Sequence, residues 1–281
     1  MRKVGLVLGV VAFVAAGLVL IKLELGLLHP YPLLKGIEPP LVALLGGVVA
    51  HLTVLGALLL LVGLASRLSG MSLADAGVFF DGRAPRHFLW GAVVTIIAGA
   101  LTCLAFIAIH RPGYAVRISS PVEAVVLVLL GGLATAFQAG YEETWMRSWP
   151  LAALARVAGR HAAIATIALA FAAVHLLNPQ YSWLAVVNTG LAGVMMGYAF
   201  FKPEDKPSVW LPWGLHWGWN FVTGGVFYNR QVFEVTLDGQ RVNQFNGAEA
   251  TIAGCLIVAL AIVVVIRLPA PSCQPGKTAG A

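Results

Sequence analysis

The chain has 281 residues, of which 59% are hydrophobic and only 11% are charged. Apolar stretches long enough to cross a bilayer, which takes about 20 residues, recur along it, and this excludes a soluble protein. The net charge of +6 comes from Lys and Arg residues that stand singly between apolar runs, whereas a nucleic-acid-binding surface would need clustered basic residues. The composition therefore predicts an all-α, polytopic transmembrane bundle with the lipid bilayer as a partner and no nucleic acid.

The apolar stretches predict eight membrane spans. The first follows Met1-Arg2-Lys3 and is too long for the apolar part of a signal peptide. The fourth is predicted to run on into a further helix. The predicted spans are Val4–Ile21, Pro40–Ala65, His87–Ile109, Pro121–Tyr141, His161–Leu177, Trp183–Phe201, Ser208–Val226 and Ala248–Leu268.

The positive residues predict how these spans are oriented. With eight spans, twelve of the eighteen Lys and Arg residues fall on the side of both termini and six on the other side. Lys and Arg are enriched in cytoplasmic loops. We therefore expect a multi-pass integral membrane protein with both termini in the cytoplasm.

The segments between the spans complete the predicted organisation. The alternation around Val232, Glu234 and Thr236, followed by Asp238-Gly239, predicts a hairpin outside the membrane. The tail is rich in Pro, Gly and small polar residues, which predicts disorder. The predicted parts are a three-span region at 1–120 with a loop at 66–86, a core at 121–226, the hairpin loop at 227–247, a last span at 248–268 and a disordered tail at 269–281.

The core contains polar residues that a membrane span does not ordinarily tolerate. Ionisable groups at membrane depth are costly and usually serve a binding or catalytic site. Glu143 and Arg147 are four positions apart, and so are His216 and Asn220, which places each pair on one face of a helix. The residues that we single out lie on three consecutive elements: Glu142, Glu143 and Arg147, then His175, then His216 and Asn220.

Turn positions predict that these three elements bring their polar residues to a similar depth. Glu142 lies 17 residues before a predicted turn at Gly159, and His175 lies 16 residues after it. A helix from Pro121 through Ala158 would be too long for one span. A break near Gly140 is therefore predicted, and it would place Glu142 near a helix N-terminus, where a carboxylate is stabilised.

Each of these residues also has a purely structural interpretation. An ion pair at i and i+4 can simply hold a bundle together, and a lone intramembrane His or Asn can link helices by hydrogen bonds. Only the combination of two acids, two histidines and an amide favours a buried catalytic site. The remaining intramembrane polar residues, His51, His110, Gln138 and Asn188, are assigned structural or interfacial roles, and Trp183, Trp210, Trp213, Trp217 and Trp219 are assigned as interface anchors.

The three motifs together resemble the signature of a known family. The ordered pattern is Glu142-Glu143-x-x-x-Arg147, then Phe171-x-x-x-His175, then His216-x-x-x-Asn220. It is similar to that of the CPBP family, which includes the CAAX prenyl endopeptidases and the Abi or bacteriocin-processing proteins. The resemblance covers Pro121 to Val226. Ser148 stands where family members often have Gly.

The resemblance implies an intramembrane endopeptidase acting on a peptide or protein substrate, which we expect to enter from the cytoplasmic side. It implies that Glu142 and His175 activate the hydrolytic water and that His216 and Asn220 stabilise the oxyanion. Glu143, held by Arg147, would orient the site.

The cofactor is left open by the sequence. Glu142, His175 and His216 would be a feasible zinc ligand set. The chain has no His-Glu-x-x-His motif, so a metal-bound and a metal-free water both remain alternatives.

Two other functions remain alternatives: a catalytically inactive scaffold or regulator of the same fold, and a proton-coupled transporter. Inverted repeats would favour the transporter, and the sequence shows none.

Overall fold

A computed structural model describes residues 2–27, 39–203 and 206–269. The predicted all-α bundle is confirmed for these residues, and the tail predicted at 269–281 lies almost wholly outside them. The helices are α1 (Arg2–Leu27), α2 (Pro39–Ser69), α3 (Arg83–His110), α4 (Pro121–Arg147), α5 (Trp149–Ala158), α6 (Arg160–His175), α7 (Trp183–Phe200), α8 (Trp210–Asn220) and α9 (Ile252–Arg267). The strands are β1 (Gly113–Val116), β2 (Phe233–Leu237) and β3 (Gln240–Arg241).

Several of these helices have the length and composition of membrane spans. Five helical stretches of the described chain are long and apolar enough to cross a membrane. They are Lys3–Leu23, Leu44–Ser69, Arg83–His110, Pro121–Ala158 and Trp183–Phe200. The apolar helices α6 and α9 are shorter. The chain is an integral membrane protein, and the count of eight spans stays a prediction.

Helix α4, which carries the first motif, begins and ends at defined signals. Ser120 caps its N-terminus by accepting a hydrogen bond from the Glu123 amide at 3.2 Å, and Pro121 occupies the first turn. The helix ends at Arg147, where Ser148 leaves the helical conformation, and the next helix begins at Trp149 with Pro150 in its first turn.

The predicted break near Gly140 is wrong. Proline has no amide hydrogen to donate to the preceding turn, so the interruption falls just before Pro150. Gly140 instead packs against Trp213, whose ring would lie 2.3 Å from a Cβ at this position. Glu142 and Glu143 therefore lie near the C-terminal end of α4 rather than at an N-terminus.

Helix α8, which carries the third motif, packs backbone to backbone against α3. A Cβ at Gly214 would lie 1.9 Å from the Phe88 carbonyl oxygen, and one at Gly218 would lie 2.4 Å from that of Ala92. Small residues allow this approach in membrane bundles. The predicted span Ser208–Val226 consists of α8 and a π-helical turn at Phe221–Phe227.

The two ends of the bundle are different. At one end, the α2–α3 connection spans 70–82, shorter than the predicted 66–86 loop because α2 continues to Ser69. Asp75 in this loop lies 3.6 Å from Lys206 and 3.7 Å from Arg156. Backbone and side-chain hydrogen bonds from Ser72 hold the Asp75 pKa below its ordinary value, and both cations act in the same direction.

At the opposite end, β2 and β3 form a hairpin. Strand β1, which the sequence did not predict, pairs with β2 in antiparallel register, with Gly113 opposite Thr236. We call this end, with residues 176–182 and 228–250, the sheet end.

Candidate active site

A cavity of about 220 Å³ lies inside the bundle where α4, α6, α7 and α8 meet. Four of the six predicted site residues line it: Glu142, His175, His216 and Asn220. The other two, Glu143 and Arg147, lie behind it and are fully buried. All six predicted residues are therefore in or directly behind one cavity, and what each of them does is a matter for experiment.

Glu143 connects Arg147 to the cavity. Arg147 Nη1 donates to Glu143 Oε1 at 3.2 Å, and His216 Nδ1 lies 2.8 Å from the same oxygen. The Arg147 guanidinium also stacks on the Phe171 ring, with its carbon 4.0 Å from the ring centroid. Because a carboxylate oxygen accepts, the His216 hydrogen resides on Nδ1. Glu143 thereby fixes the orientation of the imidazole that faces the cavity.

Of the two adjacent acidic residues on α4, Glu142 is the one that reaches the cavity. It points away from Glu143, as adjacent helical positions require, and its side chain is 13% exposed. Gln138 Nε2 donates to its Oε1 at 3.1 Å, and its Oε2 lies 3.9 Å from His216 Nε2. The gap between Oε2 and His216 is longer than a hydrogen bond.

His175 is oriented from its own helix. Its Nδ1 lies 2.7 Å from the Phe171 carbonyl oxygen, so Nδ1 carries the hydrogen and the neutral ring presents Nε2 as an acceptor. The ring packs edge-on against Phe171 at 4.6 Å. Phe171 therefore contacts both Arg147 and His175, and it also lies 6.1 Å from the His216 ring.

Asn220 lies one turn after His216 on the same face of α8. Both line the cavity, as their four-residue spacing predicts. The Asn220 side chain makes no hydrogen bond with any residue of the described chain. Its amide hydrogens are therefore available to a ligand.

Other polar residues line this cavity that the sequence did not indicate as site residues, and Gln138, Asn188 and Glu249 are three of them. Gln138 and Asn188 were assigned structural roles, yet both line it. Glu249 was not singled out, although it is a buried carboxylate on the cavity wall. Glu249 lies in a short 3₁₀ turn just before α9, and no motif of the core points to it. A buried acid at the edge of a predicted span was the one available signal.

Two tryptophans of α8, Trp213 and Trp217, are not interface anchors, which corrects the sequence prediction for these two residues. Trp213 and Trp217 donate to the α4 backbone oxygens of Ala136 and Gly132 at 2.7 and 2.8 Å. An indole N–H inside a bundle needs such a partner. These bonds hold α8 against α4. Trp183, by contrast, is 75% exposed.

The cavity is lined at its outer side by segments of the sheet end. Tyr181 stacks on Phe245 with ring centroids 4.5 Å apart, and both line the cavity. Tyr181 also lines a second, polar cavity of about 680 Å³ beneath the sheet. In that outer cavity, hydrogen bonds from Arg117 and Arg241 hold the Glu234 pKa below its ordinary value.

The sheet end is opposite the end of the bundle at which the described chain terminates. The Lys202 ammonium at the end of α7 contacts the Ile266 carbonyl at the end of α9, and these helix ends lie opposite the sheet.

The candidate zinc ligands do not form a metal cluster as they are placed. Among the described residues, no group of three or more His, Cys, Asp or Glu is arranged to hold a metal ion. The Nδ1 hydrogen of His216 is donated to Glu143 Oε1. Its Nε2 lies 3.9 Å from Glu142 Oε2.

Comparison with known protein families gives a match to the region that contains the motifs. The family model described as type II CAAX prenyl endopeptidase Rce1-like matches residues 121–222. This range contains all three motifs. No curated protein and no solved structure matches the chain.

Proposed function

Because the chain belongs, through residues 121–222, to the Rce1-like family of type II CAAX prenyl endopeptidases, we propose that it hydrolyses a peptide bond with water activated by Glu142 and His175. The observation that carries this proposal is the cavity itself. Glu142, His175, His216 and Asn220 line it together, and each has a defined orientation or a free donor.

Water activation is assigned to Glu142 and His175. Both present acceptors to the cavity, since the His175 hydrogen is held on Nδ1 by the Phe171 carbonyl at 2.7 Å. A water between them would lose a proton to Glu142 as its oxygen forms a bond to the substrate carbonyl carbon. The carbonyl π electrons move to the oxygen, which becomes an oxyanion.

Oxyanion stabilisation is assigned to His216 and Asn220. Glu143 holds Nδ1–H of His216, and Glu142 lies on the side of Nε2. With a carboxylate on each side, we propose that His216 is protonated in the reaction and donates from Nε2, while Asn220 donates from its amide. Donors fixed before the reaction, in a site that excludes water, contribute strongly to catalysis.

Collapse of the tetrahedral intermediate completes the cycle. The carbon–nitrogen bond breaks, its electron pair remains on nitrogen, and nitrogen takes the proton held by Glu142. The oxyanion electron pair re-forms the carbonyl, so the direct products are an amine and a carboxylic acid, which becomes a carboxylate when it releases the second proton of the water to solvent. No step in this sequence requires a metal ion. Zinc bound by Glu142, His175 and His216 would supply Lewis-acid activation of the same water, so metal content belongs among the tests.

The side of entry follows from orientation. The distribution of positive residues predicts that the termini are in the cytoplasm, and segments of the sheet end line the cavity. We therefore propose that the substrate enters from the non-cytoplasmic side, rather than from the cytoplasmic side that the sequence indicated.

The test uses purified full-length chain in detergent and a defined set of peptides, with products identified by mass spectrometry. Glu142→Gln keeps the size of the side chain and is expected to abolish hydrolysis. The matched control is Glu123→Gln on the same helix, where the carboxylate contacts Ser119 outside the cavity. Equal turnover by Glu142→Gln and parent would remove Glu142 from the mechanism.

A further inference from the structure

Glu249 and Asn188 form a polar wall of the cavity that the proposed mechanism does not use. Both are buried, at 6% and 4% exposure, and both line the cavity together with the catalytic residues. We call these two residues the acceptor wall.

Glu249 has hydrogen-bond donors but no cation. Trp219 Nε1 and Thr223 Oγ1 both donate to its Oε1, at 2.7 and 3.2 Å. Its Oε2 has no partner in the described chain, and no Lys, Arg or His of that chain forms an ion pair with it. A buried carboxylate without a counter-ion is unfavourable. A cationic ligand in the cavity would offset that cost.

Asn188 adds a second acceptor. Its Nδ2 donates to the Glu249 backbone oxygen at 3.4 Å, which fixes the orientation of the amide. Its Oδ1 is buried and has no hydrogen-bond partner. An unpaired buried acceptor is uncommon in native proteins and calls for an explanation.

The remaining surface beside the acceptor wall is apolar and adaptable. Met195, Met196 and Val258 line the same cavity. Methionine side chains fit irregular apolar groups. A lysine side chain has the matching chemistry, because its methylene stem packs on apolar surface while its ammonium offers three hydrogens.

We propose that the acceptor wall binds a primary ammonium group of the substrate, on a lysine side chain or on a free amino terminus. The inference rests on the proposed function, since it names a specificity determinant of the same cavity. It predicts that this chain selects substrates by positive charge at one position.

The experiment measures binding rather than turnover, with purified full-length Glu142→Gln so that the peptide is not consumed. Three peptides are compared. The first is acetyl-Ala-Ala-Lys-Ala-Ala-amide, the second has norleucine in place of Lys, and the third is the norleucine peptide with a free amino terminus. Glu249→Gln is added as the test variant because its amide oxygen still accepts from Trp219 and Thr223. Glu234→Gln is the control at the same end of the molecule.

The lysine peptide is expected to bind about 10–100-fold more tightly than the norleucine peptide, the scale of a hydrogen bond to a charged group. This ratio should fall to about one with Glu249→Gln, fall in part with Asn188→Ala, and persist with Glu234→Gln. A preference for the third peptide instead would assign the ammonium to an amino terminus.

Equal binding of all three peptides, or an undiminished ratio with Glu249→Gln, would overturn the inference. A lysine preference in a chain that hydrolyses nothing would refute the proposed function alone. Hydrolysis without a charge preference would refute the acceptor wall alone.

Discussion

The buried pair between Arg147 and Glu143 gives the sharpest prediction about stability. Both side chains are fully buried, and Arg147 Nη1 lies 3.2 Å from Glu143 Oε1. Arg147→Met removes the cation and its contact with the Phe171 ring at 4.0 Å. Glu143 would remain as a buried carboxylate with only His216 beside it. Breaking such a pair from one side costs about 3–5 kcal/mol.

Thermal unfolding in detergent measures this cost. At about 2–4 °C per kcal/mol for a chain of this size, the midpoint should fall by about 6–20 °C. The matched control is Arg156→Met on α5, whose side chain is 49% exposed and lies 3.7 Å from Asp75. An exposed pair is worth about 0–1 kcal/mol, so that midpoint should barely move.

A double variant separates charge from shape. Glu143→Gln with Arg147→Met leaves no buried charge, and the Gln oxygen can still accept from His216. Replacing both partners of a buried pair is often nearly neutral, so most of the lost stability should return. If Arg147→Met has the same unfolding midpoint as the Arg156→Met control, the pair does not stabilise the site and the reasoning is refuted.

Three further predictions follow from the site and its support. Asn220→Ala should lower kcat by about 10²–10³-fold with little change in KM, as loss of one oxyanion donor does; an unchanged kcat would remove it from the oxyanion hole. His216→Ala should lower kcat and leave the metal content of the purified chain unchanged, whereas loss of a bound metal would identify His216 as a ligand. Gly214→Val should lower the unfolding midpoint, because its Cβ would lie 1.9 Å from the Phe88 oxygen; an unchanged midpoint would show that α3 and α8 are not in close contact.

The sequence predicted the helical class and four of the residues that line the cavity because both depend on local rules. Helical spacing of four residues placed His216 and Asn220 on one face, and the turn at Gly159 brought α6 back beside α4. The expense of ionisable groups among apolar residues pointed to Glu142 and Glu143. No long-range information was needed for these steps.

The errors arose where tertiary packing decides between local options. A glycine such as Gly140 can interrupt a helix or allow a neighbouring side chain to pack closely against the backbone. The position of Trp213 shows that Gly140 allows close packing. Trp217 could anchor at an interface or donate inside the bundle, and the Gly132 carbonyl beside it decides. The same residue pattern is compatible with either role, and the position of the packing or hydrogen-bonding partner decides between them.

Glu249 and Asn188 show a different limit. They are 61 positions apart in the chain and meet through one hydrogen bond from the Asn188 side chain to the Glu249 backbone. No spacing rule connects residues at that separation. The segment that follows the hairpin lines the cavity and brings Glu249 to the wall, and the sequence contains no motif that predicts it.

The central claim is that Glu142 directs water onto a peptide bond in this cavity. Hydrolysis in water enriched in oxygen-18 tests it most directly, because the new carboxylate must contain one solvent oxygen. We predict one heavy oxygen in the new carboxyl group of the amino-terminal fragment, and none in the carboxyl-terminal fragment, with the parent chain and with Glu123→Gln, and no product with Glu142→Gln. Products that form without solvent oxygen, or labelled products from Glu142→Gln at the parent rate, would contradict the account.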